Sequence, residues 1–184
     1  MSKKVKLETT LFRLETLDPN MNLDTYLSWL NDADVIRHLT TPRLFEQNSK
    51  TVRAYIKSHD GTDSFLFGIF CDDDVHIGNA AVRINRLHKR ATIGYMIGDK
   101  RFWGSNVVNP TRAKILDFLF FEQGINRAHG GCFTQNIPAL FNYKKQGWTS
   151  EGELRHHDFI DGKFLSTHLF SMLADEWVKI RGSQ

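Results

Sequence analysis

The sequence predicts an α/β protein of the α+β kind: one mixed, mostly antiparallel sheet of about seven strands, flanked by about four to five helices. Three observations lead there. Between residues 64 and 97, extended apolar stretches alternate with clusters of turn residues, the pattern of an antiparallel meander. Two helical stretches at 110–123 and 137–146 are each followed by a glycine, Gly124 and Gly147, and then by an extended run. The passage from the strand ending at Ile97, through a helix, to the strand starting at Ile125 calls for one parallel pair, because parallel strands need a long crossover.

The elements follow in order. Alternation over residues 6–17 puts Phe12, Leu14 and Thr16 on one face of a first strand. In 22–30, Leu23, Tyr26, Leu27 and Leu30 recur at helical spacing, with Asn22 available as N-cap. A second helix over 49–58 carries Val52, Tyr55 and Ile56 on its apolar side. Strands over 64–71, 75–84 and 91–97 come next, separated by Asp72-Asp73-Asp74 and by residues 85–90. Asn109 and Pro110 open the clearest helix, whose stripe is Ala113, Leu116, Leu119 and Phe120. A strand over 125–133, a helix over 137–146, strands over 148–154 and 164–173 and a short terminal helix complete the chain.

Composition narrows the function. With 184 residues, 41% hydrophobic and 24% charged, residues 1–184 read as one domain without repeat or linker. Twenty-four Lys+Arg against 21 Asp+Glu give a net charge of +3, with no basic block that would bind nucleic acid. No apolar run is long enough to span a bilayer, so no membrane role and a cytoplasmic location are expected. Cys71 and Cys132 match no metal or redox spacing, which points to reduced thiols and no metal site. Aromatic residues at 12% are the unusual feature.

Two stretches carry chemistry. In residues 93–106 a strand ends, Lys100 and Arg101 follow, and small residues lead into a helix start, an arrangement that suits a phosphate because free amides and the helix dipole converge on it. An ordinary solvated loop is the equal alternative. Further on, Asn136, Ala139 and Tyr143 share a helix face, and Gly147-Trp148 ends that helix. A core tyrosine explains Tyr143 alone; the order of the two stretches argues for more.

Taken together, Tyr26-Leu27-Ser28-Trp29-Leu30-Asn31-Asp32, His76-Ile77-Gly78-Asn79, Ile93-Gly94-Tyr95-Met96-Ile97-Gly98, Trp103-Gly104, the Asn136 to Trp148 block, Glu151-Gly152-Glu153-Leu154-Arg155 and Asp161-Gly162-Lys163-Phe164 resemble the GNAT superfamily of N-acetyltransferases. The branch resembled contains the ribosomal-protein N-terminal acetyltransferases and related small-substrate enzymes. The resemblance implies a splay between the fourth and fifth predicted strands that receives acetyl-CoA. It implies that the backbone of Tyr95, Met96 and Ile97 holds the pantetheine arm and that the loop Arg101, Trp103, Gly104, Ser105, Asn106 and Val107 holds the pyrophosphate. Asn136, Ala139 and Tyr143 fall at positions that line the arm, with Tyr143 also protonating the departing thiolate.

Acetyl transfer from a thioester needs an uncharged amine, a donor near the carbonyl oxygen and an acid for the sulfur. A phenol is protonated at neutral pH, so Tyr143 is of the right type. The proton acceptor is less defined, because Thr92 stands where relatives often carry a carboxylate. Candidates are His88, His157, His168, Asp99 and Glu153; His157, expected in the loop between the last two strands, ranks first as catalytic base. Trp29, Arg37 and His38 are expected on the acceptor side, with ordinary packing the competing explanation.

Two more positions depart from the family pattern. Asn106 replaces Gly or Ala in the loop, where its tolerance of left-handed backbone is useful, and Pro110 removes a donor from the helix start. The expected reaction is direct acetyl transfer to a small amine, such as a nucleotide-linked amino sugar, or to a protein or peptide α-amine. The alternative is a degenerate module that binds CoA or a partner without turnover. Exposed rings also allow a homodimer.

Overall fold

The computed structural model describes residues 4–71 and 74–182; the expected turn residues Asp72 and Asp73 lie outside them. Eight strands form one sheet in the order β1-β2-β3-β4-β5-β6-β8-β7, namely β1 (Lys6–Glu8), β2 (Arg13–Thr16), β3 (Ser64–Phe70), β4 (His76–Asn85), β5 (Arg90–Ile97), β6 (Arg127–Phe133), β7 (Thr149–Ile160) and β8 (Lys163–Leu173). Every neighbouring pair is antiparallel except β5 and β6, as the crossover through the long helix demands.

Helices cover both faces. On one, α1 (Asp24–Leu30) and α4 (Ser49–Lys57) lay Tyr26, Trp29, Leu30, Val52 and Ile56 over Leu66 and Met96. Between them run the short helices α2 (Ala33–Ile36) and α3 (Thr41–Leu44). On the other, α5 (Val108–Asp117), α6 (Ile137–Lys145) and α7 (Ala174–Gly182) pack Ile115, Leu116, Tyr143 and Trp177 against Leu14, Phe67, Val82, Ile93 and Phe170. Part of the aromatic excess goes into this core, while Phe45, Phe121, Phe141, Phe159 and Phe164 stay exposed. Phe65 stacks on Phe67 at 5.7 Å and both meet Phe118 edge-on.

The architecture agrees with the sequence reading; several details do not. The first predicted strand is a hairpin, because the Thr9 hydroxyl accepts hydrogen bonds from the amides of Leu11 (3.2 Å) and Phe12 (2.7 Å) and turns the chain. That split makes eight strands, and α2 and α3 raise the helices to seven. Asn109 lies inside α5, which starts at Val108, and Asn22 accepts from the Asp24 amide one residue before the N-cap position of α1. Past Asp117 the helix widens into a π turn (Phe118–Glu122), closed by the Gln123 amide on the Phe118 carbonyl. The wider turn buries Phe118, Leu119 and Phe120 in succession and leaves Phe121 exposed.

Candidate functional site

The sheet opens at one place. β5 pairs with β4 along its whole length but with β6 only through Arg90, Ala91 and Thr92, opposite Arg127, Ala128 and His129. Beyond these pairs the two strands diverge, so alternate backbone groups of 93–97 face a gap instead of a strand. Gly130 marks the vertex. A Cβ there would stand 2.5 Å from the Tyr143 hydroxyl and 2.7 Å from the Ile93 carbonyl oxygen, so only glycine lets the phenol reach this point.

Helix α6 aims that phenol. Asn136 caps the helix, accepting from the Ala139 amide at 3.2 Å, and Gly147 ends it with a φ of 80°. One turn before the end, Tyr143 stacks on Phe170 at 4.5 Å and meets Trp148 edge-on at 5.1 Å. Burial pushes its pKa up while the Arg112 charge pulls the other way, so the phenol is a proton donor at neutral pH. Tyr95 turns its side chain into the core beside Thr111, where burial raises its pKa; its backbone is what it offers the gap. Met96 packs toward α1 and α4, and Ile97 toward α5.

From β5 the chain enters the expected phosphate loop. Asp99 caps a short 3-10 turn (Lys100–Phe102) by accepting from the Arg101 amide at 3.0 Å. Gly104 and Asn106 both adopt left-handed backbone, with φ of 81° and 53°, which realises the tolerance expected of Asn106. Val107, at the N-cap position of α5, has no side-chain cap, so the first amides of α5 lack a side-chain acceptor. Cation charge is mostly spent: the Arg101 guanidinium grips Asp99, with Nη2 to Oδ2 at 2.6 Å, and the Lys100 ammonium bridges Asp32 and Asp34, each at 2.8 Å. Hence backbone amides and the helix dipole are the groups this loop has for an anion. The gap, the uncapped helix start and the two left-handed residues fit a long thioester with a phosphate end.

The other expected residues spread out. Trp29 is 7% exposed and lies over Gly98, where any Cβ would overlap the indole. Arg37 is exposed, 5.6 Å from the ring of Trp103, whose Nε1 donates to the Ile97 carbonyl. Half-buried His38 has its pKa lowered by burial and by the charges of Arg37 and Arg43. His157 is in strand β7, not a loop, and its exposed side chain makes no hydrogen bond to another described residue. The hairpin is longer than expected because only Asp161 and Gly162 turn it. His168 bonds the Ser150 hydroxyl at 2.7 Å, while His88 and Glu153 are exposed.

Two residues at the gap had no signal in the sequence. Arg112 is buried beneath Tyr143, and His129 bonds the Thr92 hydroxyl at 3.1 Å beside the vertex. Both depend on register and packing across elements.

The acetyltransferase (GNAT) domain profile matches residues 12–149. The uncharacterized N-acetyltransferase p20 of Bacillus licheniformis is 27% identical over 172 residues, 91% of this chain and 94% of the relative. A spermidine N(1)-acetyltransferase of Escherichia coli K12 is 25% identical over 141 residues, 73% and 71% of the two chains. Among solved structures, a Vibrio cholerae spermidine N-acetyltransferase in complex with CoA and spermine has a TM-score of 0.82 at 17% identity, covering 92% of this chain and 99% of that one. A ribosomal L7/L12 α-N-protein acetyltransferase in complex with coenzyme A has a TM-score of 0.83 at 16% identity, covering 94% and 99%.

Proposed function

The chain belongs to the acetyltransferase (GNAT) family, and on that premise we propose that it transfers the acetyl group of acetyl-CoA directly to a primary amine. The observation that carries this reading is the Tyr143 hydroxyl at the vertex of the β5/β6 gap, over Gly130 and beside the Ile93 carbonyl. There it can give its proton to a departing sulfur. Acetyl-CoA supplies an activated thioester. The chain's part is to hold the phosphate end with the amides of Gly104 to Val107 and the start of α5, and to hold the arm with the open edge of β5, Asn136 and Ala139.

Direct transfer is also favoured by Cys132, on β6 two residues beyond Gly130. Burial pushes the Cys132 thiol up to about 11, which leaves little thiolate for an acyl-cysteine route. For the acceptor, the exposed pair of Arg37 and Trp103 supports a small amine carried on a flat, phosphate-bearing group, such as a nucleotide-linked amino sugar. A peptide α-amine is the second choice, and a similar protein is a spermidine N(1)-acetyltransferase. Trp29, expected on the acceptor side, is buried together with Tyr26, so neither ring is exposed to stack on an acceptor.

Calorimetric titration with acetyl-CoA, followed by thiol release on amino-sugar nucleotides, spermidine and peptides, tests the reading. Binding with release on at least one amine supports it; binding with release on none supports the non-catalytic module.

A further inference from the structure

Two residues on the opposite face of the gap from Tyr143 form a connected pair. Thr92 and His129 face each other in the last parallel register pair before β5 and β6 part, and Thr92 Oγ1 lies 3.1 Å from His129 Nε2. Their chain neighbours Ile93 and Gly130 are the positions that the Tyr143 hydroxyl approaches. Side chains alternate along a strand. Ala91, Ile93 and Ala128 pack into the core on the Tyr143 side, so Thr92 and His129 project from the other. Thr92 is exposed and His129 half-buried, which leaves the hydroxyl accessible from solvent.

We propose that His129 is the proton acceptor of the transfer, reached through the Thr92 hydroxyl at the vertex. This rests on the amine acetyltransferase reading above. As the amine nitrogen bonds to the thioester carbonyl carbon and the carbon–sulfur bond breaks, the surplus proton on nitrogen passes to Thr92 Oγ1, whose own proton passes to His129 Nε2. Tyr143 gives its phenolic proton to the sulfur. The products are an amide and a free thiol, and one proton returned through solvent from the imidazolium to the phenolate resets the site.

The surroundings suit that direction. Burial and the charges of Arg127, on the same strand, and Arg90, on β5, lower the His129 pKa, while Glu151 of β7 acts the other way. The ring is therefore neutral at pH 7, with Nε2 toward the hydroxyl and Nδ1 buried without a hydrogen-bond partner among the described residues. Arg127 is itself held by Glu151, which also accepts from the Ser171 hydroxyl at 2.8 Å, so the charges around the ring are fixed in place.

The test compares His129→Gln and Thr92→Val with the wild-type chain, using acetyl-CoA with spermidine, an amino-sugar nucleotide and a free-N-terminus peptide, from pH 5.5 to 9. Loss of a general base costs on the order of 10² to 10⁴-fold. His129→Gln should lose about 100-fold in kcat or more at saturating amine, with acetyl-CoA affinity and melting temperature unchanged, and its kcat profile should lose the histidine step, keeping only the slope set by the amine's own ionisation. Thr92→Val should lose about tenfold, and Thr92→Ser should restore the rate. A His129→Gln rate within threefold of wild type, or a slower rate that keeps the histidine step in its kcat profile, overturns the proposal. If the wild-type chain acetylates none of the three amines, the amine reading fails for them. The same proteins are then compared for slow thiol release to water, which the same base activates; equal release by wild type and His129→Gln overturns the assignment of His129.

Discussion

The guanidinium of Arg112 lies 4.4 Å over the ring centre of Tyr143, and 5.0 Å from that of Trp148, at a position only 2% exposed. No carboxylate among the described residues pairs with it. Its donors go to neutral acceptors: Gln146 Oε1 at 2.5 Å, the Asn142 carbonyl at 2.8 Å and Asn109 Oδ1 at 3.2 Å. Burying an unpaired charge is expensive, and ring faces and carbonyls offset it here. The result is a clamp between α5 and α6 that fixes the phenol. Arg112→Leu should therefore destabilise the fold by about 2–3 kcal/mol, since it strands several buried acceptors; a denaturant midpoint equal to wild type would show that the clamp contributes nothing.

Gly130→Ala is expected to act on the rate. The new methyl would meet both the Tyr143 hydroxyl and the Ile93 carbonyl, so phenol or strand must shift. A displacement of about 1 Å at a reacting group costs on the order of 10²-fold. Circular dichroism should show a folded protein while kcat falls by about that factor; full activity would mean that the phenol need not sit at the vertex.

For Tyr143→Phe, the ring contacts with Phe170 and Trp148 survive and only the proton donor goes. Turnover should fall by about 10² to 10³-fold with acetyl-CoA affinity within a factor of about two. Unchanged turnover would remove Tyr143 from the reaction.

Stability should depend on pH on both sides of neutrality. Burial lowers the pKa of His76 and His59, so the stability they carry is present above the unfolded value of about 6.5 and is lost as pH falls. Burial raises Tyr26, Tyr95 and Tyr143, and Cys132 to about 11, so their part is present below the unfolded values and is lost as pH rises past about 8.5. The melting temperature should be highest between about pH 7 and 8.5; a melting temperature still climbing at pH 10 would contradict this.

Features that depend on a short stretch of chain could be read from the sequence. The spacing of Asn136, Ala139, Tyr143 and Gly147 defined a helix ended by Gly147 with its phenol on one face, and α6 has that form; that Asn136 caps it is seen only in the structure. Asn106 was readable because a left-handed turn tolerates Asn. Features that depend on packing between distant segments could not. Thr92 and His129 are 37 positions apart and meet only through the parallel register of β5 and β6. Burial of Arg112 runs against the usual preference of a guanidinium and follows from the acceptors that α6 brings to it. Trp29 looked like a pocket residue, yet Gly98 leaves it a bed in the core.

The most direct test of amine acetylation at the gap is mass spectrometry of the acceptors after incubation with acetyl-CoA and the wild-type chain, with free thiol measured in parallel. An acetylated amine and an equal amount of thiol are expected, both strongly reduced in Tyr143→Phe. Acetyl-CoA bound in the calorimeter with no acetylated product and no thiol from any amine would contradict the account.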